Sequence, residues 1–265
     1  MNNTFHSQRF GLLFKKTLLE RPTQMFGFTG LMLALALIIY AITKTISGFV
    51  MAQQLTFLCG LAGGSYFIAS LVFGNFTSNA IGSSYLTLPA SHFEKWLCGI
   101  LIAGVLYPGI FILFYRLMDV SFVSEFHNSL DPAAPFYKEL YQSVNIFSFN
   151  GFFAWRVYSI FPFAVSAMLT GSLYFNNAVL IKVSLVICSI VVVVFLLNHL
   201  FAKILLGSAV QHTWPFHWAD VQVGKDYGSI ELPEKIAGTT LYALSYAFPV
   251  ILFVASFIRL REKEF

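Results

Sequence analysis

The amino-acid sequence predicts an all-α membrane protein with six transmembrane helices and an N-terminal interfacial amphipathic helix, forming one integral membrane domain over residues 1–265. Of the 265 residues, 57% are hydrophobic and 11% are charged, whereas soluble domains carry about 25% charged residues. The mean hydropathy is +0.74, and a soluble core of this length cannot bury so much apolar surface. The apolar residues also gather in six runs of 19–23 residues, the length that an α-helix needs to cross a bilayer.

The first predicted element is an amphipathic helix over residues 5–21. Apolar side chains recur at helical spacing there, and basic side chains mostly occupy the other side. A helix of this kind lies in the membrane interface, and Pro22 ends it before the first span. The alternative is an ordinary basic flank that only sets the orientation of the chain. The residues expected at the interface are Arg9, Phe10, Phe14, Lys15 and Lys16.

Six spans and five connections of unequal length make up the rest of the chain. The first and fourth connections, 47–54 and 175–178, are short and therefore predict helical hairpins. The second connection, 74–95, contains a proline-broken motif, and the third, 116–151, is long and carries acidic residues. The fifth, 202–238, is a long extracytoplasmic segment that is rich in Trp, His, Gly and Pro. The predicted spans are 26–46, 55–73, 96–115, 152–174, 179–201 and 239–257.

The distribution of Lys and Arg predicts that both termini are cytoplasmic, because basic residues are enriched in cytoplasmic loops. With the N-terminus inside, the inside segments hold nine Lys or Arg residues and the outside segments hold seven. The inside loops are also shorter, so their basic density is higher. The nine inside residues are Arg9, Lys15, Lys16, Arg21, Lys95, Lys182, Arg259, Arg261 and Lys263.

The sequence excludes nucleotide hydrolysis by way of a P-loop. A P-loop needs G-x-x-x-x-G-K-[ST], because its backbone amides cradle the phosphates, but the Gly224-Lys225 pair is followed by Asp226. The predicted spans hold almost no charged residues, which gives little support to an ion channel or a proton-coupled carrier. The energy for any work that the chain does is therefore expected from a partner.

Histidines are the candidates for chemistry within this chain. His212 and His217 stand five residues apart, with Asp220 as a third ligand of a metal site. The flanking tryptophans favour an aromatic cluster at headgroup depth instead. An intramembrane hydrolase would pair a serine with His199, but no G-x-S-x-G motif is present. We therefore expect neither a metal site nor a catalytic residue in this chain.

The stretch SSYLTLPASHFEKW separates the second and third predicted spans. Ser91 and Glu94 fit the capping-box pattern S-x-x-E, in which each side chain bonds the backbone amide of the other residue. A helix is therefore predicted to begin at Ser91 and to run into the third span. Tyr85, Leu86 and Leu88 are apolar residues in a loop that should face water, which favours a partner surface. The alternative is that these residues dip into the membrane interface.

Small residues gather in the second predicted span, in the sequence CGLAGGSYFIAS. Such residues let helix backbones approach closely in a membrane. The contact they make is either internal to the chain or an interface between subunits. The residues concerned are Gly60, Gly63, Gly64 and Ser65.

The layout resembles the membrane subunit of ABC-2 type ABC transporters. That family has an interfacial N-terminal helix, six spans, cytoplasmic termini and a first cytoplasmic loop whose coupling helix docks on the ATPase subunit. Residues 5–21, 74–95 and 202–238 match its interfacial helix, coupling loop and outer segment. YLTLPASHFEKW is also similar to the LPAS..EK stretch of a group of poorly characterised bacterial membrane proteins related to these permeases. The third connection, 116–151, is longer than the family usually has.

The resemblance implies the membrane-spanning subunit of an ABC-2 type transporter in the bacterial inner membrane, with export as the expected direction. The implied partners are an ATPase subunit that holds ATP and Mg²⁺, a second permease subunit in a homo- or heterodimer, and the lipid bilayer. No cofactor in this chain and no nucleic acid are expected. A non-transporting membrane scaffold or assembly protein is the alternative, followed by an intramembrane enzyme. The residues expected to contact the ATPase are Tyr85, Leu86, Thr87, Leu88, Pro89, Ser91, Phe93 and Glu94.

Overall fold

The computed structural model describes residues 5–20, 22–74, 87–133, 135–215, 218–223, 226–231 and 233–262. These residues are mostly helical, with one small sheet. The helices are α1 Ser7–Glu20, α2 Pro22–Ser47, α3 Phe49–Val72, α4 His92–Ser129, α5 Tyr137–Ser143, α6 Phe152–Tyr174, α7 Val179–Leu206 and α8 Glu234–Glu262. The strands are β1 Val210–Trp214, β2 Trp218–Val223 and β3 Asp226–Glu231.

Six of the described helices are long and apolar enough to cross a membrane: α2, α3, α4, α6, α7 and the Ala243–Glu262 part of α8. The mean hydropathy of their most apolar windows lies between 1.4 and 3.0. The short hairpin connections are also confirmed, because only Gly48 separates α2 from α3 and residues 175–178 separate α6 from α7. The predicted class of a six-span helical membrane protein is therefore confirmed at this level.

The prediction of an all-α fold is wrong in the fifth connection. Three antiparallel strands form a sheet in the order β1-β2-β3 between α7 and α8. Trp214 pairs with Trp218 in the first hairpin, and Val223 pairs with Asp226 in the second. The strands are rich in β-branched and aromatic residues, which fit a pleated surface. Hydropathy alone marked this segment as a loop, because each strand has only five or six residues.

The predicted end of the third span is also wrong. The expectation placed residues 116–151 in a connection, but α4 continues as a helix to Ser129. The acidic residues Asp119 and Glu125 had ended the apolar run in the sequence. A helix tolerates them here because Glu125 is exposed and Asp119 is buried with hydrogen-bond partners. The short helix α5 lies in the remainder of this connection.

Both ends of the described chain lie on one side of the helix bundle. Arg9 in α1 forms an ion pair with Glu94 at the start of α4. Phe257 near the end of α8 contacts Phe93, with ring centroids 6.3 Å apart. We call this side, formed by α1, residues 87–95 and residues 256–262, the termini face. The opposite side, which holds the end of α4, residues 130–149 and the sheet, is the far face.

Two of the small residues of α3, Gly60 and Gly64, make an internal contact with α4. The helix widens to a π-helical turn at Cys59–Gly63, and the Tyr107 hydroxyl of α4 donates to the Gly60 carbonyl at 3.0 Å. A Cβ atom on Gly60 would overlap the Phe111 ring, and one on Gly64 would overlap Tyr107. Gly63 has nothing within 4 Å of its Cβ position. α3 and α4 therefore pack closely through two of these glycines.

A buried carboxylate joins several elements near the far face. Asp119 is 0% exposed and accepts hydrogen bonds from the Tyr40 hydroxyl at 2.8 Å and the Gln53 side-chain amide at 2.9 Å. Its other oxygen accepts from the backbone N–H of Phe147 at 2.7 Å. The Gln53 amide also donates to the Asn145 carbonyl at 2.8 Å. Asp119 therefore holds α2, α3, α4 and the chain after α5 together.

Candidate docking site at the termini face

The predicted capping box is confirmed at the start of α4. The Ser91 hydroxyl accepts a hydrogen bond from the backbone N–H of Glu94 at 3.2 Å. In return, the Glu94 carboxylate accepts from the backbone N–H of Ser91 at 2.7 Å. Two amides of the first helical turn are thereby satisfied. The capping box sets the point at which the chain leaves the loop and enters the third span.

The Glu94 carboxylate also joins α1 to α4 through hydrogen bonds. One oxygen of its carboxylate accepts from the Arg9 guanidinium at 2.9 Å and from the backbone N–H of His6 at 2.9 Å. The Glu94 side chain is 0% exposed, whereas that of Arg9 is 32% exposed. The cost of burying this carboxylate is offset by a charged partner and by hydrogen bonds to both of its oxygens. Glu94 therefore fixes the N-terminal helix against the start of the third span.

The apolar face of α1 also packs against the protein. Leu13 and Thr17 are buried, and the thiol of Cys98 in α4 lies 3.7 Å from the Thr17 hydroxyl. Phe10 and Phe14 pack against the hydrophobic core. This face is the one expected to contact lipid, but in the structure it contacts α4 and its neighbours. The membrane-interface location of α1 stays a prediction. Within the described residues, the face of α1 that is exposed and available to contact lipid is the opposite one.

The proline corner before α4 is held by Lys95. The ammonium group of Lys95 donates to the Leu88 carbonyl at 3.3 Å, and its side chain is 1% exposed. The backbone N–H of Ala90 donates to the same carbonyl at 2.7 Å. A buried lysine that bonds a loop carbonyl fixes the position of that loop relative to its helix. The Lys95 side chain therefore ties residues 88–90 to the first turn of α4.

The end of α8 completes the termini face. The indole N–H of Trp96 donates to the Ser256 hydroxyl at 2.8 Å and to the Phe253 carbonyl at 3.2 Å. The Arg259 guanidinium lies 5.0 Å from the centre of the Tyr174 ring at the end of α6. α1, the start of α4 and the end of α8 therefore form one connected unit.

The predicted contact residues divide into exposed and buried groups. Thr87, Pro89 and Phe93 are exposed, and Leu88 is half-buried. The side chains of Ser91 and Glu94 are buried, and each accepts a hydrogen bond from the backbone N–H of the other residue, so they support the surface and are not part of it. The predicted residues Tyr85 and Leu86 lie outside the described residues, as do residues 75–84 of the predicted coupling loop.

The described residues give the termini face an excess of positive charge. Lys15, Lys16 and Arg261 are exposed there. Of the three described acidic residues at this face, Glu20 is exposed, Glu94 is paired with Arg9, and Glu262 lies 3.8 Å from Arg259. Basic residues are enriched on the cytoplasmic side of membrane proteins. The compartment that this face meets stays a prediction.

Of the residues that the sequence offered for chemistry, the structure brings His212 and Asp220 together as neighbours in the sheet. His199 lies in α7, His212 lies in β1 opposite Asp220, and His217 lies outside the described residues. Among the described residues, no group of three His, Cys, Asp or Glu side chains is placed to hold a metal ion. We therefore propose no metal site at these residues.

Sequence reasoning missed that Arg9 and Glu94 form a pair. It assigned Arg9 to the membrane interface and Glu94 to the cap and the partner surface, but the two residues stand 85 positions apart and bond each other. The sequence held one signal. The two residues carry opposite charges, and each lies near the start of a helix that is predicted to begin on the same side of the membrane. A local pattern cannot show that such residues meet.

Comparisons with known proteins find no match for this chain among protein families, curated proteins or solved structures. The fold and the geometry of the termini face are therefore the observations on which a function can be argued.

Proposed function

We propose that this chain is the membrane-spanning subunit of an ABC-2 type transporter, driven by a separate ATPase subunit that docks on the termini face. The observation that carries the proposal is the unit formed by α1 and residues 87–95, which Glu94 joins by hydrogen bonds to Arg9, His6 and Ser91. A partner that pushes on this unit would move the start of α4 with it, because the capping box and the Lys95–Leu88 hydrogen bond tie residues 88–91 to the first turn of the helix.

The length and packing of α4 support the proposed transport mechanism. This helix runs from His92 to Ser129 and contacts α3 through Gly60 and Gly64. A displacement at its first turn would tilt the helix about its far end, where Asp119 is held by hydrogen bonds. ATP binding and hydrolysis in the partner would supply the energy for that displacement, and export is the proposed direction.

A second membrane subunit is part of the proposal. The described parts of α2 and α7 expose wide apolar faces, with 17% and 11% of their most apolar windows buried within the chain. Lipid or a second permease subunit would cover these faces. We propose a dimer of membrane subunits, either of two copies or of two related chains, in the bacterial inner membrane with both termini cytoplasmic.

Copurification tests the proposal. The full-length tagged chain, extracted from its native membrane in a gentle detergent, should retain a protein with a P-loop at near-equal amounts, and that protein should hydrolyse ATP. The double variant Thr87→Glu/Pro89→Glu should lose it, because it puts charge on the exposed part of the docking surface. The matched control is Pro135→Glu/Phe136→Glu, which makes the same change at exposed positions on the far face.

The outcomes separate the proposal from its alternatives. Loss of the ATPase in the first variant and retention in the control would support the transporter. Retention of a different protein, with no P-loop protein present, would favour a membrane scaffold or assembly factor. Equal retention of the ATPase in both variants would contradict docking at residues 87–95.

A further inference from the structure

A narrow groove lies between α1 and the proline corner of the termini face. Its volume is about 180 Å³, and its walls are Arg9, Leu12 and Lys16 from α1 and Leu88 and Pro89 from the corner. The buried residues Leu13 and Ala90 also line it. The groove therefore has an apolar interior and two basic residues on its α1 wall, and it has no acidic residue in its lining.

The groove lies at the depth where two candidate spans begin. α1 ends at Glu20 and the first span starts at Pro22, so at most about 8 Å of chain separates them. On the other wall, only Ser91 stands between Ala90 and the start of α4 at His92. In a bilayer, the start of a span is the level of the lipid headgroups and the first methylenes of the acyl chains.

The exposed face of α1 has the residue types of a lipid contact. Leu12 is 70% exposed and Leu19, two turns further on, is 53% exposed. Lys15 and Lys16 lie between them on the same face and make no hydrogen bond or ion pair within the described part of the chain. Two exposed lysines between exposed leucines match a surface that buries apolar side chains and keeps the ammonium groups at the headgroups.

We propose that this groove binds an anionic phospholipid. The headgroup phosphate lies against Lys16 and the part of the Arg9 guanidinium that remains exposed. The first methylenes of one acyl chain run over Leu12 into the groove beside Leu88. The sign of the charge selects anionic over zwitterionic lipid, because each basic residue near the headgroups adds about 1 kcal/mol of attraction for anionic lipid. This proposal does not depend on the identity of the protein partner.

Native mass spectrometry of the isolated full-length chain tests the lipid site. The detergent-solubilised protein is titrated separately with phosphatidylglycerol and phosphatidylcholine of the same acyl chains. The first phosphatidylglycerol should bind more tightly than phosphatidylcholine. Lys16→Gln should weaken phosphatidylglycerol binding about fivefold, the loss expected for one basic residue, and leave phosphatidylcholine unchanged.

Two further variants separate the groove from general surface charge. Leu12→Ser should weaken both lipids by removing the acyl-chain contact, and it leaves the fold intact because Leu12 is largely exposed. Lys138→Gln removes an equivalent exposed charge beyond the other end of α4 and should change nothing.

Several results would overturn the lipid proposal. Equal binding of the two lipids, or equal weakening by Lys16→Gln and Lys138→Gln, would show that the groove is not a specific site for anionic lipid. Displacement of the lipid by inorganic phosphate would show that the groove selects a free anion. Unchanged lipid binding in Lys16→Gln together with loss of a copurifying protein would assign the groove to a protein partner.

Discussion

Glu94 and Asp119 are two buried carboxylates on one helix, and they hold opposite ends of the molecule in different ways. They stand 25 residues apart on α4, or about 37 Å along a helix, which is slightly more than the hydrocarbon thickness of a bilayer. Glu94 pairs with a guanidinium that is one-third exposed. The donors to Asp119 in the described part of the chain are all neutral: a hydroxyl, a side-chain amide and a backbone N–H.

The difference shows how each end can respond to a partner. At the termini face, the Arg9 guanidinium is partly exposed to water, whereas Glu94 is buried, so a docking protein that moves α1 and the start of α4 together would keep the pair intact. At the far face, the donors and the carboxylate are buried together, and separating them would leave several polar groups unsatisfied at once. The far end of α4 is therefore the fixed end, and the termini face is the end suited to move.

Replacing Asp119 should have the largest effect on stability. Asp119→Ala leaves the Tyr40 hydroxyl, the Gln53 amide and the Phe147 N–H without their acceptor, and we expect a loss of about 3 kcal/mol or more in the free energy of unfolding. Denaturation by SDS in mixed micelles measures this loss. Glu125→Ala, at an exposed position on the same helix, is the control. Equal stability of the two variants would mean that Asp119 is not a structural hub.

Replacing Glu94 should have a smaller and more local effect. Glu94→Ala removes the acceptor of Arg9 and of the Ser91 and His6 amides, but Arg9 can turn to water, so we expect a loss of about 2 kcal/mol. Hydrogen exchange should rise in residues 6–20 and stay unchanged in residues 144–149. Asp119→Ala should give the reverse pattern, and the same pattern in both variants would remove the distinction between the two ends.

The glycine contact between the two carboxylates tests how α4 packs against α3. Gly60→Ala forces the Phe111 ring to move, and we expect a cost of about 1–3 kcal/mol from overpacking. Gly63→Ala is the matched control, because its Cβ position is empty, and it should be neutral or slightly stabilising. Both variants are compared by thermal unfolding in detergent. A neutral Gly60→Ala would show that α3 and α4 do not pack as described.

Removing the cap should have the smallest effect. Ser91→Ala loses one acceptor for the Glu94 amide, and N-cap replacements of this kind cost about 1 kcal/mol. The Arg9–Glu94 pair should survive, so hydrogen exchange in α1 should change little. A loss of α1 protection as large as that of Glu94→Ala would mean that the cap, and not the ion pair, holds the helix.

Local patterns in the sequence predicted the elements of this molecule better than the contacts between them. The apolar runs placed the spans, and S-x-x-E placed the start of α4, because both depend on residues within a few positions. The Tyr40–Asp119 and Arg9–Glu94 contacts join residues 79 and 85 positions apart, which no periodicity can show. The sequence predicts a connection at Asp119 because a charge ends an apolar run, whereas its hydrogen-bond partners let the helix continue.

The amount of P-loop ATPase that copurifies with Glu94→Ala and with Asp119→Ala tests the central claim most directly. Both measurements are normalised to chain that elutes as folded protein. If α1 and residues 87–95 act as one docking unit, Glu94→Ala should lose most of the ATPase and Asp119→Ala should keep it. Retention by Glu94→Ala, or equal loss from both variants, would contradict the assignment of docking to the termini face.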